Sequence, residues 1–237
     1  MSSDFVSYAV PLLFHGLLTT LLVTVLGTVV AVVAAFTAGL GRLSQHRALR
    51  WPAAVFVEVF RGTSLVVQMF WLFFALPGFG VQLTPLAAAV LALGLNEGAY
   101  AAEIVRGAIS SRTAGQNEAC IALGMGRALR MRRILIPQSI PAMLPPFGNV
   151  MVDLLKNTSL VSLVTVSDLT FRAGFVRNAE GHTTEVYLII LVIYFVLSQL
   201  ISALTKWLER RFALDRQSRS VIRGAGRQPL SSGGMSV

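Results

Sequence analysis

Long uncharged apolar runs dominate the chain, and their lengths match the thickness of a membrane rather than the narrow stripe of a surface helix. Between Asp4 and Arg42 lie 37 residues without a charge, more than the roughly 20 that one perpendicular span needs. We place a first span at about 17–40 and leave 5–15 as an interfacial lead-in, with Pro11 and His15-Gly16 marking a break. Trp51-Pro52 opens a second span at about 53–76, with Trp at the interface and Pro in a tolerated first-turn position. Pro77-Gly78-Phe79-Gly80 is a turn signal that ends it. A third span runs from Pro85 to about Arg106. Ile134 to Val152 is uncharged, but Pro137, Pro141, Pro145 and Pro146 argue against a continuous helix there. The fourth span is therefore expected at about 147–165, after the prolines. Val186 to Thr205, twenty residues without charge, makes the fifth. The expected fold is an all-α integral membrane protein of about five transmembrane helices.

Composition agrees. Of 237 residues, 54% are hydrophobic and 13% charged, about half the charge of a soluble domain, which excludes an ordinary soluble enzyme. A formal charge of +9 would suit a nucleic-acid binder only if Lys and Arg shared a solvated face. Here they flank the apolar runs, so no nucleic-acid partner is expected. Residues 41–50, 106–137 and 206–237 hold sixteen of the twenty basic residues. The opposite loops hold only Arg172 and Arg177, and Arg61 and Lys156 lie inside spans. Cytoplasmic loops carry the excess of Lys and Arg, so the N-terminus is expected outside and the C-terminus in the cytoplasm. The start lacks the basic stretch of a cleaved signal peptide, so the first run is read as retained. The stretch 206–237 reads as a basic cytoplasmic tail, poorly ordered at its end, that fixes topology and meets anionic lipid headgroups. Cys120 is the only cysteine, which excludes an internal disulfide framework and a multi-cysteine metal site. No cofactor is expected.

About forty residues separate the third and fourth spans, more than a connector needs. Glu118 to Leu123 favours helix, Gly124 and Gly126 supply a corner, and Arg127 to Arg133 resumes a helical pattern. Two short helices around a glycine bend are expected. The residues alone leave open whether they dock a partner or lie on the bilayer.

Glu118-Ala119-Cys120 followed after three intervening residues by Gly124, and Ile134-Leu135-Ile136-Pro137, resemble the "EAA" loop of permease subunits of bacterial ABC importers. Phe60-Arg61-Gly62-Thr63-Ser64-Leu65, Gly98-Ala99-Tyr100-Ala101-Ala102-Glu103-Ile104-Val105-Arg106-Gly107 and Leu155-Lys156-Asn157-Thr158-Ser159-Leu160 resemble the subfamily that moves polar amino acids, of the histidine/glutamine/arginine type. The resemblance covers about residues 15–205 in order. It implies a type I importer permease fold at 17–205, with a coupling loop at about 107–141 that docks on an ATP-binding subunit dimer. It also implies a second permease subunit, homologous but different, an extracytoplasmic solute-binding protein, and a bacterial cytoplasmic membrane. Glu118, Ala119, Cys120, Gly124 and Pro137 become candidate coupling residues. Cys120 stands where a second Ala is usual and should behave as a small hydrophobe. No phosphate loop of the Gly-x-x-x-x-Gly-Lys-Ser/Thr type occurs, so the chain is not expected to hydrolyse ATP.

Ionisable side chains within spans are costly and mark pathways or partners. At about 1.5 Å per residue, Lys156 counted from Phe147 and Glu97 counted from Pro85 both come near the midplane. A cation and an anion at one depth suit a zwitterionic solute, and Tyr100 offers an aromatic wall. Alternatively Lys156 neutralises Glu97 or pairs with Asp153 at i,i+3. With Asn157, these form the candidate pathway. Glu58 with Arg61 and Glu103 with Arg106 are expected as structural or gate ion pairs. Relatives of the resembled subfamily usually have Asp at the place of Asn157 and a small polar residue at the place of Glu97. With the stretch 162–172, this shift of an acid resembles permeases for the cyclic zwitterion ectoine and hydroxyectoine. The expected function is a permease subunit of an ATP-driven, binding-protein-dependent importer of a polar amino acid or related solute. The alternatives are a secondary transporter or channel driven by an ion gradient, or a membrane anchor without transport.

Overall fold

The computed structural model describes residues 3–112, 114–180 and 183–212, and among them every regular element is helical. The basic tail beyond Phe212 lies outside the described residues. The elements are α1 (Ser3–Arg42), α2 (Arg47–Gly62), α3 (Leu65–Phe70), α4 (Pro85–Ser110), α5 (Ala114–Ala122), α6 (Arg127–Arg130), α7 (Ile136–Asn157), α8 (Leu169–Glu180) and α9 (Thr183–Phe212). Three helices are long and apolar enough to cross a membrane alone, and two bent pairs bring the number to five if each is one span.

The centre is α4, packed chiefly along α1. Its face is small: Ala88, Ala89, Ala92, Ala99, Ala101 and Ala102 are fully buried. Gly94 and Gly98 meet α1 so closely that a Cβ would stand 2.5 Å from Val30 Cβ and 2.6 Å from Ala34 Cβ. Apolar side chains gain little from association inside lipid, so close backbone contact between small residues takes over that role. Thr84 caps α4, its hydroxyl accepting from Ala87 N at 3.2 Å. By contrast α9 turns most of its surface outward, including Leu191, Phe195 and Leu200.

Two local expectations fail for one physical reason. Residues 5–15 are not a separate lead-in, because α1 runs unbroken through Pro11. The fourth span does not wait until residue 147, because α7 holds Pro141, Pro145 and Pro146 in its interior. A proline forfeits one backbone bond, which a helix buried among neighbours survives more readily than an isolated one. A π turn at Met131–Leu135 widens the ladder just before Pro137, where the usual donor is missing. Arg127 to Asn157 is therefore helical throughout. The second span breaks instead, with Arg47–Gly62 and Leu65–Phe79 set at 107° about Thr63 and Ser64. The carbonyls freed there are satisfied by side chains. Gln68 Nε2 and Asn96 Nδ2 each donate to Phe60 O at 2.9 Å, and Asn96 also donates to Gln68 Oε1 at 3.1 Å. Irregular backbone at membrane depth requires such partners.

The stretch 166–185, read as a loop, contains α8, packed on α1. Asp168 is fully buried and caps it, its carboxylate accepting from Thr170 N at 3.1 Å and Phe171 N at 2.9 Å. Thr20 Oγ1 of α1 accepts from Leu169 N at 3.1 Å. Gly16 lies under this turn, where a Cβ would stand 2.8 Å from Leu169 Cα; it serves close packing rather than a break.

Candidate functional site

A cleft of about 490 Å³ lies between the broken second span, α4 and the last turns of α7. Glu97, Tyr100, Asp153, Lys156 and Asn157 all line it, beside Ser64 and Asn96. Spacing explains the gathering: Glu97 and Tyr100 are one turn apart on α4, and Asp153, Lys156 and Asn157 share the last turn of α7. Glu97 is only 6% exposed, and Asn157 Nδ2 donates to its Oε1 at 2.9 Å. This bond, rather than the count from Phe147, places the α7 residues level with Glu97, since α7 begins well before Phe147.

Lys156 does not pair with Glu97. Its Nζ lies 3.6 Å from Asp153 Oδ1, and both side chains are more than half exposed. Tyr100 carries a protein cation on its ring, with the Arg61 guanidinium carbon 5.1 Å from the centroid. The expected Glu58–Arg61 ion pair is therefore replaced. Glu58 instead lies 3.7 Å from Arg42 Nη1.

Toward the cytoplasm the expected Glu103–Arg106 pair is present, Arg106 Nε donating to Glu103 Oε2 at 2.9 Å. Arg42 Nη1 donates to the other carboxylate oxygen, so Glu103 joins the end of α1 to α4. Sequence reasoning counted Arg42 only as a topology signal. It also passed over Gln68 and Asn96; an amide buried in an apolar run, adjacent to Glu97, was the available clue.

The coupling candidates sit around α5. Glu118 and Ala119 are exposed, as are Ile121 (57%) and Leu123 (78%). Cys120 is buried, turned away from that surface. Gly124 adopts φ +71°. Its N–H donates to Ile121 O at 2.9 Å and Met125 N–H to Cys120 O at 3.0 Å, a Schellman ending in which glycine avoids the Cβ penalty of the left-handed region. Gly126, expected to share the corner, has an ordinary extended conformation. Arg127 Nη2 then donates to Leu43 O at 2.6 Å, fastening the loop to the end of α1. Pro137 lies in the first turn of α7.

Residues 27–214 match a family model described as "Binding-protein-dependent transport system inner membrane component". A probable amino-acid ABC transporter permease protein of Sinorhizobium fredii, y4tF, is 42% identical over 215 residues, covering 88% of this chain and 90% of its own. The glutamine transport system permease protein GlnP of Escherichia coli is 36% identical over 208 residues, covering 87% and 95%. The crystal structure of an amino acid ABC transporter with histidines superposes with a TM-score of 0.80 at 37% identity, covering 89% of this chain and all of that one.

Proposed function

The chain belongs to the family of binding-protein-dependent transport system inner membrane components, and on that premise we propose that the cleft around Glu97 and Lys156 is where a zwitterionic solute crosses the membrane. The chain is an integral membrane permease subunit of an ATP-driven importer, with hydrolysis performed by a separate subunit. Its partners include that ATP-binding subunit and a solute-binding protein. An ion-gradient mechanism is not favoured.

One observation carries the reading of the cleft: its charges are only loosely satisfied. Lys156 and Asp153 stay largely solvent-accessible in a long, marginal pair, and Glu97 has an amide rather than a cation as its hydrogen-bond partner. A solute carboxylate would take Lys156, and its cationic end would take Glu97, each a charge-assisted bond. Midplane sites beside broken helices are common in transporters. The substrate is a polar amino acid or a related cyclic zwitterion, ectoine or hydroxyectoine. The amino-acid class is supported by the names of the relatives, and ectoine by the resemblance carried by Glu97, Asn157 and the stretch 162–172.

Coupling follows from the continuous helix. A displacement of α5 by the ATPase passes the Gly124 corner into the helical segment from Arg127 to Asn157, whose last turn carries Asp153, Lys156 and Asn157. Glu118, Ala119, Ile121 and Leu123 form the docking surface, with Cys120 packed beneath it. A second, homologous but different permease completes the pathway by covering exposed apolar residues of the broken span such as Val67, Trp71 and Phe74.

The test is uptake of labelled ectoine, glutamine, histidine and arginine into vesicles holding the complete importer. ATP-dependent uptake of at least one, insensitive to a proton ionophore, is expected. Uptake that persists with an inactivated ATPase and collapses with the ionophore would overturn the reading.

A further inference from the structure

Two hollows adjoin along the cytoplasmic half of α1. The first, about 510 Å³, is almost entirely apolar, lined by Val29, Val33, Ala34, Ala38, Ala53 and Phe56 among others. The second, about 560 Å³, is walled by Leu40, Leu43, Leu49 and Met131 and rimmed by His46 and Arg127. Thr37 lines both, so they form one groove between α1 and α2. From Gly41 to Val29 is about 18 Å along a helix, close to one leaflet of a bilayer whose apolar core is about 30 Å thick.

The chemistry changes along this length. Among the described residues, no acidic one lines either hollow. Arg127 spends one N–H on Leu43 O and retains others, while Arg47 and Arg50, exposed, adjoin the lining residues His46 and Leu49. Trp51, 73% exposed, marks the level of the interface. A basic mouth at the cytoplasmic surface leading into an apolar slot one leaflet deep fits an amphiphile with an anionic head.

The geometry points to a phospholipid site: an anionic glycerophospholipid of the cytoplasmic leaflet places its phosphate at Arg127 and His46 and one acyl chain along Val29, Val33 and Thr37. Basic pockets between helices on the cytoplasmic side are suited to such headgroups. The site is separate from the solute cleft and shares no lining residue with it.

The experiment uses the complete importer in vesicles of phosphatidylcholine and phosphatidylglycerol mixed four to one. Lipid retained through gentle delipidation is read by mass spectrometry of the intact complex. Phosphatidylglycerol should remain with the wild type and fall several-fold in Thr37→Trp, which blocks the groove where the hollows meet, and in Arg127→Gln. Leu191→Trp, on the outward surface of α9, should retain it. Val33→Trp repeats the block if Thr37→Trp fails to assemble. A photoreactive residue at position 33 should capture lipid. Equal retention in all variants, equal loss in all, or capture of the second permease at position 33 would overturn the assignment.

Discussion

Two charged clusters share α4 and are built in opposite ways. At the cytoplasmic end Glu103 receives a guanidinium on each carboxylate oxygen, from Arg42 and Arg106, and is 20% exposed. Its capacity is used up within the protein, and the pairing links α1 to α4. In the cleft one α4 turn and a half farther in, Glu97 is more deeply buried yet holds only the Asn157 amide, and Lys156 makes one marginal ion pair. A closed cluster stabilises a helix arrangement, whereas an open one retains charge for a ligand. The difference lies in the number of partners rather than in depth, because both clusters belong to spans where unpaired charge is costly.

The largest effects are expected in the open cluster. Lys156→Ala and Glu97→Ala should each reduce ATP-driven uptake by about tenfold or more, the loss of one charge-assisted bond of about 1.5–3 kcal/mol, while thermal stability of the complex barely changes. Glu103→Ala should do the reverse. It strands Arg42 and Arg106, costs about 2 kcal/mol of stability after allowance for their partial exposure, and lowers the melting temperature with little change in the KM for uptake. Asn96→Ala removes one of two donors to Phe60 O, costing about 1 kcal/mol, and should lower both stability and uptake because the break borders the cleft. Glu58→Gln is expected to change stability by under about 0.5 kcal/mol, since Glu58 is 74% exposed and 3.7 Å from its partner. A stability loss for Glu58→Gln as large as that for Glu103→Ala would erase the distinction drawn by partner number.

The same contrast explains what could be read from the chain. Apolar run length and Lys/Arg placement identify a helical membrane protein, because hydrophobic thickness and positive-inside bias are written one residue at a time. Helix continuity is not. Pro11, Pro141, Pro145 and Pro146 look like breaks, yet packing carries the helices through them, while the actual break at Thr63-Ser64 has no proline. Its stability depends on Gln68 and on Asn96, the latter 36 positions from Phe60. The residues lining the cleft were accessible through helical spacing, since each half lies on one turn. Their pairings were not, because Arg61 on Tyr100 and Arg42 on Glu103 depend on which helices become neighbours. Cys120 shows the same limit: its helix could be foreseen, but the side that turns inward could not.

The central claim is that the open cluster is the solute path. Its most direct measurement compares ATP-driven uptake of labelled ectoine, glutamine, histidine and arginine by wild-type, Lys156→Ala and Glu97→Ala importers, with ATP hydrolysis followed in the same vesicles. The account predicts that the wild type imports at least one of these zwitterions, and that both variants lose that uptake while still assembling and hydrolysing ATP. Uptake at the wild-type rate in both variants would contradict it.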